Sequence, residues 1–374
     1  MFKLVKRPEP SRQMVLVSPL LALLLTLLAG IILFLFMGVS PTEALYAFFV
    51  EPLTSLYGWA ELGVKATPLV LIAVTLSVGF RAGIWNIGAE GQLTLGGICG
   101  GAVALLFYEV ESVWVIPLMV LAGIAGGMFW AAIPAFLRTR FNANEILTSL
   151  MLTYVAGLLL SLLVHGVMRD PDGYNFPESR LFSDSALLPI ILEGTRLHVG
   201  WLMALAVVVA AWIMMARTLI GFEVKVLGQA PAAGRYAGFS QRNIIWFSLL
   251  LSGGAAGLAG MIEVSGPIGQ VLPTISPGYG FTAIIVAFVG RLHPVGVLLA
   301  GLLLALSYLG GESAQISLNL PLAVTGVFQG MLLFFLLACD VLIHYQIVRK
   351  TGPVSAIADQ DTTQATTNTA TESK

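Results

Sequence analysis

Ten apolar stretches follow one another along this chain, and that succession limits it to very few folds. A helix needs roughly 20 apolar residues to cross about 30 Å of hydrocarbon. Stretches of that order fall near 14–37, 63–82, 90–108, 113–137, 146–166, 199–216, 243–264, 279–291, 295–310 and 321–343, the eighth being short. Inside a bilayer every backbone polar group needs an internal partner, so such stretches form helices. Hydrophobic residues make up 57% of the 374 residues and charged residues 10%, against about 25% charged in soluble chains. The expected fold class is all-α, a polytopic membrane protein of about ten transmembrane helices solvated by the lipid bilayer. A net charge of −1 gives no bulk attraction for nucleic acid.

The start, MFKLVKRPEPSR before an apolar run from Met14 to Met37, has the charge order of a signal peptide. The run is far longer than a 7–15-residue signal core and ends in no small-x-small site, so it reads as an uncleaved first span. Ten spans with both termini in the cytoplasm leave fourteen Lys and Arg inside between Lys3 and Lys350, with Lys374 beyond them. Only Lys65, Arg169, Arg180 and Arg196 then lie outside, as the positive-inside rule requires. Residues 1–350 form one transmembrane domain on this reading. The stretch 351–374, rich in Thr, Ala and Asp, is predicted to be a disordered polar cytoplasmic tail. Outside, 38–62 is expected to carry a short interfacial helix, and 167–198 is too long for a simple turn. Five spans per half would set the halves in opposite orientations, the inverted five-helix repeat common in transporters. Pro68–Arg81 and Pro277–Arg291 echo each other but run in the same direction, so the echo does not support that repeat.

Two segments carry polar chemistry. Phe80–Gly101, FRAGIWNIGAEGQLTLGGICGG, holds enough glycine to interrupt a straight helix. Irregular backbone at membrane depth survives only where protein or water satisfies it. Trp85, Asn86, Glu90 and Gln92 therefore line or brace a permeation path. Glu90 either touches solute, caps a helix start, or pairs with Arg81. Tyr279 and Phe281, at the start of the short eighth span, are candidates to stack a planar base or to pack between helices. The second segment is the inner loop of about 217–242, containing GFEVKVLGQAPAAGRYAGFSQR. It is basic, helix-prone and punctuated by glycine, the layout of a docking surface for a separate soluble motor. Gly221, Gly228 and Gly238 are expected to permit turns around one short helix, with Lys225 and Arg235 as surface charge.

Other chemistry is not signalled. Cys99 and Cys339 have no CxxC neighbour, and the four histidines show no metal-ligand spacing. No Ser-His-Asp arrangement, GxSxG elbow or P-loop occurs, so neither a catalytic residue nor a cofactor is expected. The pairs Gly97/Gly101, Gly123/Gly127, Gly253/Gly257 and Ala256/Gly260 suit close helix packing.

FRAGIWNIGAEGQ, NANEILTSLMLTYVA, GFEVKVLGQAPAAGRYAGFS, LLSGGAAGLAG and GYGFTAIIVAFVGRLHP, in this order from about Leu53 to Val348, resemble the permease subunits of bacterial ABC importers. Within them the chain is most similar to the nucleoside and simple-sugar branch, whose receptors are basic membrane lipoproteins. The resemblance implies a plasma-membrane permease that pairs with a second, homologous but non-identical permease. It also implies separate ATP-binding subunits and an extracytoplasmic substrate-binding lipoprotein. It assigns the loop to a coupling helix seated in the ATPase, through Glu223, Lys225, Gly228, Gln229, Ala232, Ala233, Arg235 and Gly238. Where the family pattern has Arg-Ala-Val-Gly, this chain has Lys225-Val226-Leu227-Gly228. The nucleoside reading stands beside two alternatives, a simple-sugar ABC permease and an ion-coupled secondary carrier. The carrier would need ionisable residues in its spans, for which the sequence offers Glu90 and Glu263.

Overall fold

The computed structural model describes residues 2–6, 12–321 and 323–349; the polar tail expected after 350 lies outside them. Thirteen helices follow in chain order: α1 Arg12–Phe36, α2 Pro41–Phe49, α3 Leu56–Arg81, α4 Ala89–Leu106, α5 Val115–Phe141, α6 Glu145–His165, α7 Gly200–Arg217, α8 Leu219–Gln229, α9 Pro231–Tyr236, α10 Gln241–Glu263, α11 Tyr279–Val289, α12 Pro294–Leu318 and α13 Ala323–His344. Eight of them are long and apolar enough to cross a membrane, and Tyr279–Val289 and Ala323–Cys339 are shorter apolar helices. Each expected stretch coincides with one of these ten. Helix α2 falls in the segment expected to carry a short interfacial helix.

The described residues divide into two compact units, one drawn from 2–24 and 335–349 and the other from 25–334. The first contains strands the sequence did not signal, β1 Phe2–Lys6 and β2 Tyr345–Arg349, paired antiparallel with Leu4 opposite Ile347.

The second unit is built around α3, buried on every side from Ala60 to Phe80 except at Lys65. Its apolar residues show no preferred face, as a helix enclosed by other helices requires. Around it stand α7, α10, α11 and α12. Helices α5, α6 and α7 instead keep a row of large apolar side chains exposed, among them Leu121, Phe129, Leu158, Leu162 and Val209. That composition suits contact with lipid.

Helices α4, α5 and α10 approach to backbone contact. A Cβ on Gly127 would sit 2.1 Å from the Gly253 carbonyl oxygen, and one on Gly257 2.1 Å from that of Gly123. Of the predicted small-residue pairs, Gly123/Gly127 and Gly253/Gly257 thus face each other. Gly260 of the Ala256/Gly260 pair meets the α4 backbone at Leu93 and Gly97, Gly96 meets Gly257, and Gly101 faces Val271.

Helix ends follow their capping chemistry. Ser55, Asn144, Thr218 and Ser240 each accept a backbone N–H at an N-terminus, as such side chains do. Asn142, in the left-handed region, closes α5. The long loop 167–198 folds back on the turn after α10. Ser265 Oγ donates to the Ala186 carbonyl at 2.6 Å, and Ser179 Oγ accepts from Val271 N–H at 2.9 Å.

Candidate functional site

The interruption between α3 and α4 is where the polar segment falls. Gly83 takes φ +72°, a conformation that favours glycine, and the chain turns back through 82–88. Asn86 and Gln92 are buried there and bonded to each other twice: Asn86 Nδ2 donates to Gln92 Oε1 at 2.8 Å, and Gln92 Nε2 to Asn86 Oδ1 at 3.1 Å. Asn86 Nδ2 also reaches Ser252 Oγ on α10 at 2.8 Å. These two amides brace the bend against α10. Trp85 is partly exposed, tilted against Phe80 with ring centres 5.0 Å apart and stacked on Phe288 at 5.8 Å.

Glu90, in the first turn of α4, does not pair with Arg81. Its Oε2 accepts a 2.6 Å hydrogen bond from Gly280 N–H. It therefore caps a helix start, but that of α11 rather than its own. The unpaired N–H groups of a helix N-terminus attract a carboxylate. The backbones touch here: a Cβ on Gly280 would lie 2.3 Å from the Glu90 nitrogen. With eleven residues, α11 is long enough to cover only about half the hydrocarbon thickness.

Two cavities flank the junction. One, of about 420 Å³, is lined by Glu90, Thr94, Thr153, Tyr154 and the 273–276 turn. The other, of about 520 Å³, is lined by Phe281, Thr282, Tyr308, Glu312, Thr325 and Gln329 among others. Of the predicted path residues, Glu90 and Phe281 therefore border cavities. Tyr279 is buried and packs edge-on against Tyr308 at 5.4 Å.

Charged groups that the sequence reading placed outside, passed over or named only as carrier candidates lie on or against α3, α10 and α12. Glu61 on α3 is buried and accepts both arms of Arg196, at 2.9 and 2.6 Å. Lys65, one turn on, binds Glu312 of α12 at 2.6 Å. Glu263, at the end of α10, is buried. Beside this group His198 is buried with Nε2 unpartnered. Burial holds its imidazole down to about 4, against a smaller upward pull from Glu61.

The inner loop forms two helices, α8 and α9, not one. Gly221 and Gly228 lie inside α8 and are not turns; they let its backbone close on its neighbours. A Cβ on Gly228 would meet the Arg81 carbonyl oxygen at 1.8 Å, and one on Gly221 that of Met214 at 2.4 Å. The break falls at Ala230, where Pro231 starts α9, a position proline favours. Only Gly238, at φ +85°, is a turn glycine. Val224 and Leu227 are buried with Val78, Met215, Ile244 and Leu249, seating the lobe on α3, α7 and α10. Lys225 is not free surface charge: its Nζ donates to the Met215 carbonyl at 2.8 Å. Glu223 is half-buried, whereas Gln229, Ala232, Ala233 and Arg235 are exposed at the tip. Phe222 and Tyr236, which the sequence reading passed over, are exposed there too.

A core of enclosed and interrupted helices, a lipid-suited periphery and a helical lobe seated on the helix ends define a multi-pass membrane permease. The chain belongs to the family described as branched-chain amino acid transport system / permease component, whose model matches residues 59–337. It is 40% identical to the glucose ABC transporter permease protein of Haloferax volcanii, over 88% of this chain and 89% of that one. Identity to the guanosine ABC transporter permease protein of Bacillus subtilis is 31%, covering 86% and 92%. The nucleoside ABC transporter permease protein NupB of Lactococcus lactis is 28% identical, covering 85% and 89%. Such subunits translocate solute and are not themselves enzymes; ATP-binding and substrate-binding partners go with the family.

Proposed function

We propose that this chain carries a small neutral hydroxylated solute, a nucleoside, across the bacterial plasma membrane in an ATP-driven importer. Its proposed partners are a second, homologous permease, ATP-binding subunits docked at α8–α9, and an extracytoplasmic substrate-binding lipoprotein. The observation that carries the coupling is the lobe itself. Its apolar face is anchored by Val224 and Leu227, while Gln229, Ala232, Ala233, Arg235 and Tyr236 remain exposed. Motion of a docked motor would reach α3 directly through the Gly228–Arg81 backbone contact.

For the solute, the support is the two relatives that handle nucleosides together with the larger cavity. Its Thr, Tyr and Gln side chains suit hydroxyls and amides, and its one carboxylate, Glu312, is neutralised by Lys65. A simple sugar is the second reading, favoured by the 40% identity to a glucose permease. A secondary carrier would use Glu61, Glu90 and Glu263, but Glu61 and Glu90 are already bound to Arg196 and to the start of α11.

The packing also supports the inverted repeat. Helices α3, α4 and α5 exchange roles with α10, α11 and α12. Thus α10 packs on α4 and α5 as α3 packs on α11 and α12, and α4 meets α5 as α11 meets α12. The symmetry pairs α3 with α10 and not with α11, where the sequence echo lies.

The test is uptake of labelled inosine and of labelled glucose into proteoliposomes holding the full complex, with and without ATP inside the motor compartment. ATP-dependent accumulation of inosine is expected. Accumulation driven by a proton or sodium gradient in the absence of ATP would overturn the reading.

A further inference from the structure

Helix α5 packs on α10 and α7 packs on α3, while α10 and α3 pack on each other. That arrangement leaves a cleft between α5 and α7, floored by α10. Ile116, Ile124 and Met128 line it from α5, and Val199, Met203 and Val207 from the α7 side. Each set recurs at spacings of four or eight residues, one face of a helix, and each residue is half-buried. Two cavities follow each other down the cleft, about 590 Å³ beside the 167–198 loop and about 260 Å³ deeper in. From Ile116 to Met128 the cleft runs about 18 Å, slightly more than the roughly 15 Å of one leaflet of hydrocarbon.

The deeper cavity offers nothing to a polar ligand. Its walls are apolar but for Thr75 of α3, whose hydroxyl already donates to the Leu71 and Ile72 carbonyls at 3.3 and 2.9 Å. Gly254 and Ala255 keep its floor low. Spread over the roughly 12 Å from Leu250 to Leu258, 260 Å³ is a slot about 20 Å² in section. A helix, about 10 Å across, does not fit there; a single extended acyl chain does. The cleft opens onto the face where Leu121 of α5 and Val209 of α7 stand exposed, so it is continuous with the surface that lipid covers.

The cavity beside the loop suits the other end of a lipid. Glu111 and Asp184 stand exposed at its rim, neither in an ion pair among the described residues, and no Lys or Arg lines it. The rim hydroxyls are bonded locally: Ser112 Oγ accepts from Trp114 N–H at 3.3 Å, and Ser185 Oγ donates to the Val110 carbonyl at 3.1 Å. Trp114, 70% exposed, marks the head-group level, where indole rings gather. Two unpaired carboxylates at that level attract a cationic group and repel an anionic one.

We infer that the α5–α7 cleft holds one molecule of phosphatidylethanolamine from the leaflet on the side of the 167–198 loop. One acyl chain lies along Val199, Met203 and Val207 and ends in the slot over Ala255. The primary ammonium of the head group bonds Glu111 and Asp184. So seated, the lipid completes the packing beside Thr75 on the central helix, whatever solute the chain carries.

The test is native mass spectrometry of the assembled complex, delipidated in detergent and then exposed to phosphatidylethanolamine or phosphatidylglycerol with identical acyl chains. Wild type should hold one phosphatidylethanolamine more than an Ala255→Phe complex, in which the ring occupies the slot. It should bind phosphatidylglycerol roughly tenfold more weakly, since the two carboxylates attract one head group and repel the other. The double substitution Glu111→Lys with Asp184→Lys lies on the surface, leaves the slot intact and should reverse that preference. Equal numbers of bound phosphatidylethanolamine in wild type and Ala255→Phe would overturn the proposal, as would an unchanged preference in the double variant. Loss of the second permease, with lipid retained, from Ala255→Phe would assign the cleft to a protein contact and overturn it too. If the Ala255→Phe complex does not assemble at all, the double variant alone decides.

Discussion

The backbone N–H of Gly280 donates a 2.6 Å hydrogen bond to Glu90 Oε2, tying the first turn of α11 to the first turn of α4. One carboxylate thereby satisfies a helix terminus contributed from the other half of the chain. Glu90→Gln keeps an acceptor at that position and should leave uptake measurable at reduced rate. Glu90→Leu leaves the α11 N–H groups buried without partners, at about 1–3 kcal/mol each. It should lower the melting temperature of the assembled complex and stop uptake. Equal effects of the two substitutions, or loss of uptake in Glu90→Gln with normal stimulated ATP hydrolysis, would place Glu90 in the solute path instead.

The lobe offers a cleaner separation of stability from coupling. Tyr236 is exposed over nearly its whole surface, so Tyr236→Ala should leave the stability within about 0.5 kcal/mol of wild type. Gly228→Val should displace α8, because its Cβ would overlap the Arg81 carbonyl. Both should weaken co-purification of the ATP-binding subunits, and only the second should also destabilise the permease. Undiminished co-purification with Tyr236→Ala would remove that face of the lobe from the motor contact.

His198 gives the fold a pH dependence whose sign is fixed. Its imidazole is buried and titrates near 4 when folded, against about 6.5 in an unfolded chain. Between those values the unfolded state binds the extra proton, so stability is intact above about pH 6.5 and falls as pH drops toward 4. The whole step is on the order of 3 kcal/mol by that linkage. Thermal melts from pH 7.5 to 4.5 should show the decline in wild type and a shallower one in His198→Leu. Parallel curves would assign the acid sensitivity elsewhere.

Topology is testable with single cysteines in a chain lacking Cys99 and Cys339. Asp172 and Gln229 are both exposed. Cysteine at 172 should react with an impermeant thiol reagent applied outside intact cells, and cysteine at 229 only after the membrane is opened. Labelling of both from one side is incompatible with ten spans and two cytoplasmic termini.

The helices were legible because an apolar run of spanning length has few other fates in lipid. The interruption near Gly83 was legible too, since glycine clustering and buried polar residues coincide there. Glycine spacing alone, however, does not distinguish a turn from a close approach, so Gly221 and Gly228 were read as turns when they admit neighbouring backbone. Lys65 and Glu312 are 247 residues apart, and no local pattern announces their pairing.

The enclosure of α3 bears on how the chain is made. Carrying Glu61 and Lys65 and meeting protein on every side, α3 leaves the ribosome long before α10, α11 and α12 exist to cover it. Until they arrive, Lys65 lacks Glu312 of α12, and a charged group in hydrocarbon is costly. Assembly must therefore wait for the second half of the chain. A protein cut between α7 and α10 would yield two fragments that mature only together, and the first, alone, would be a substrate for membrane quality control.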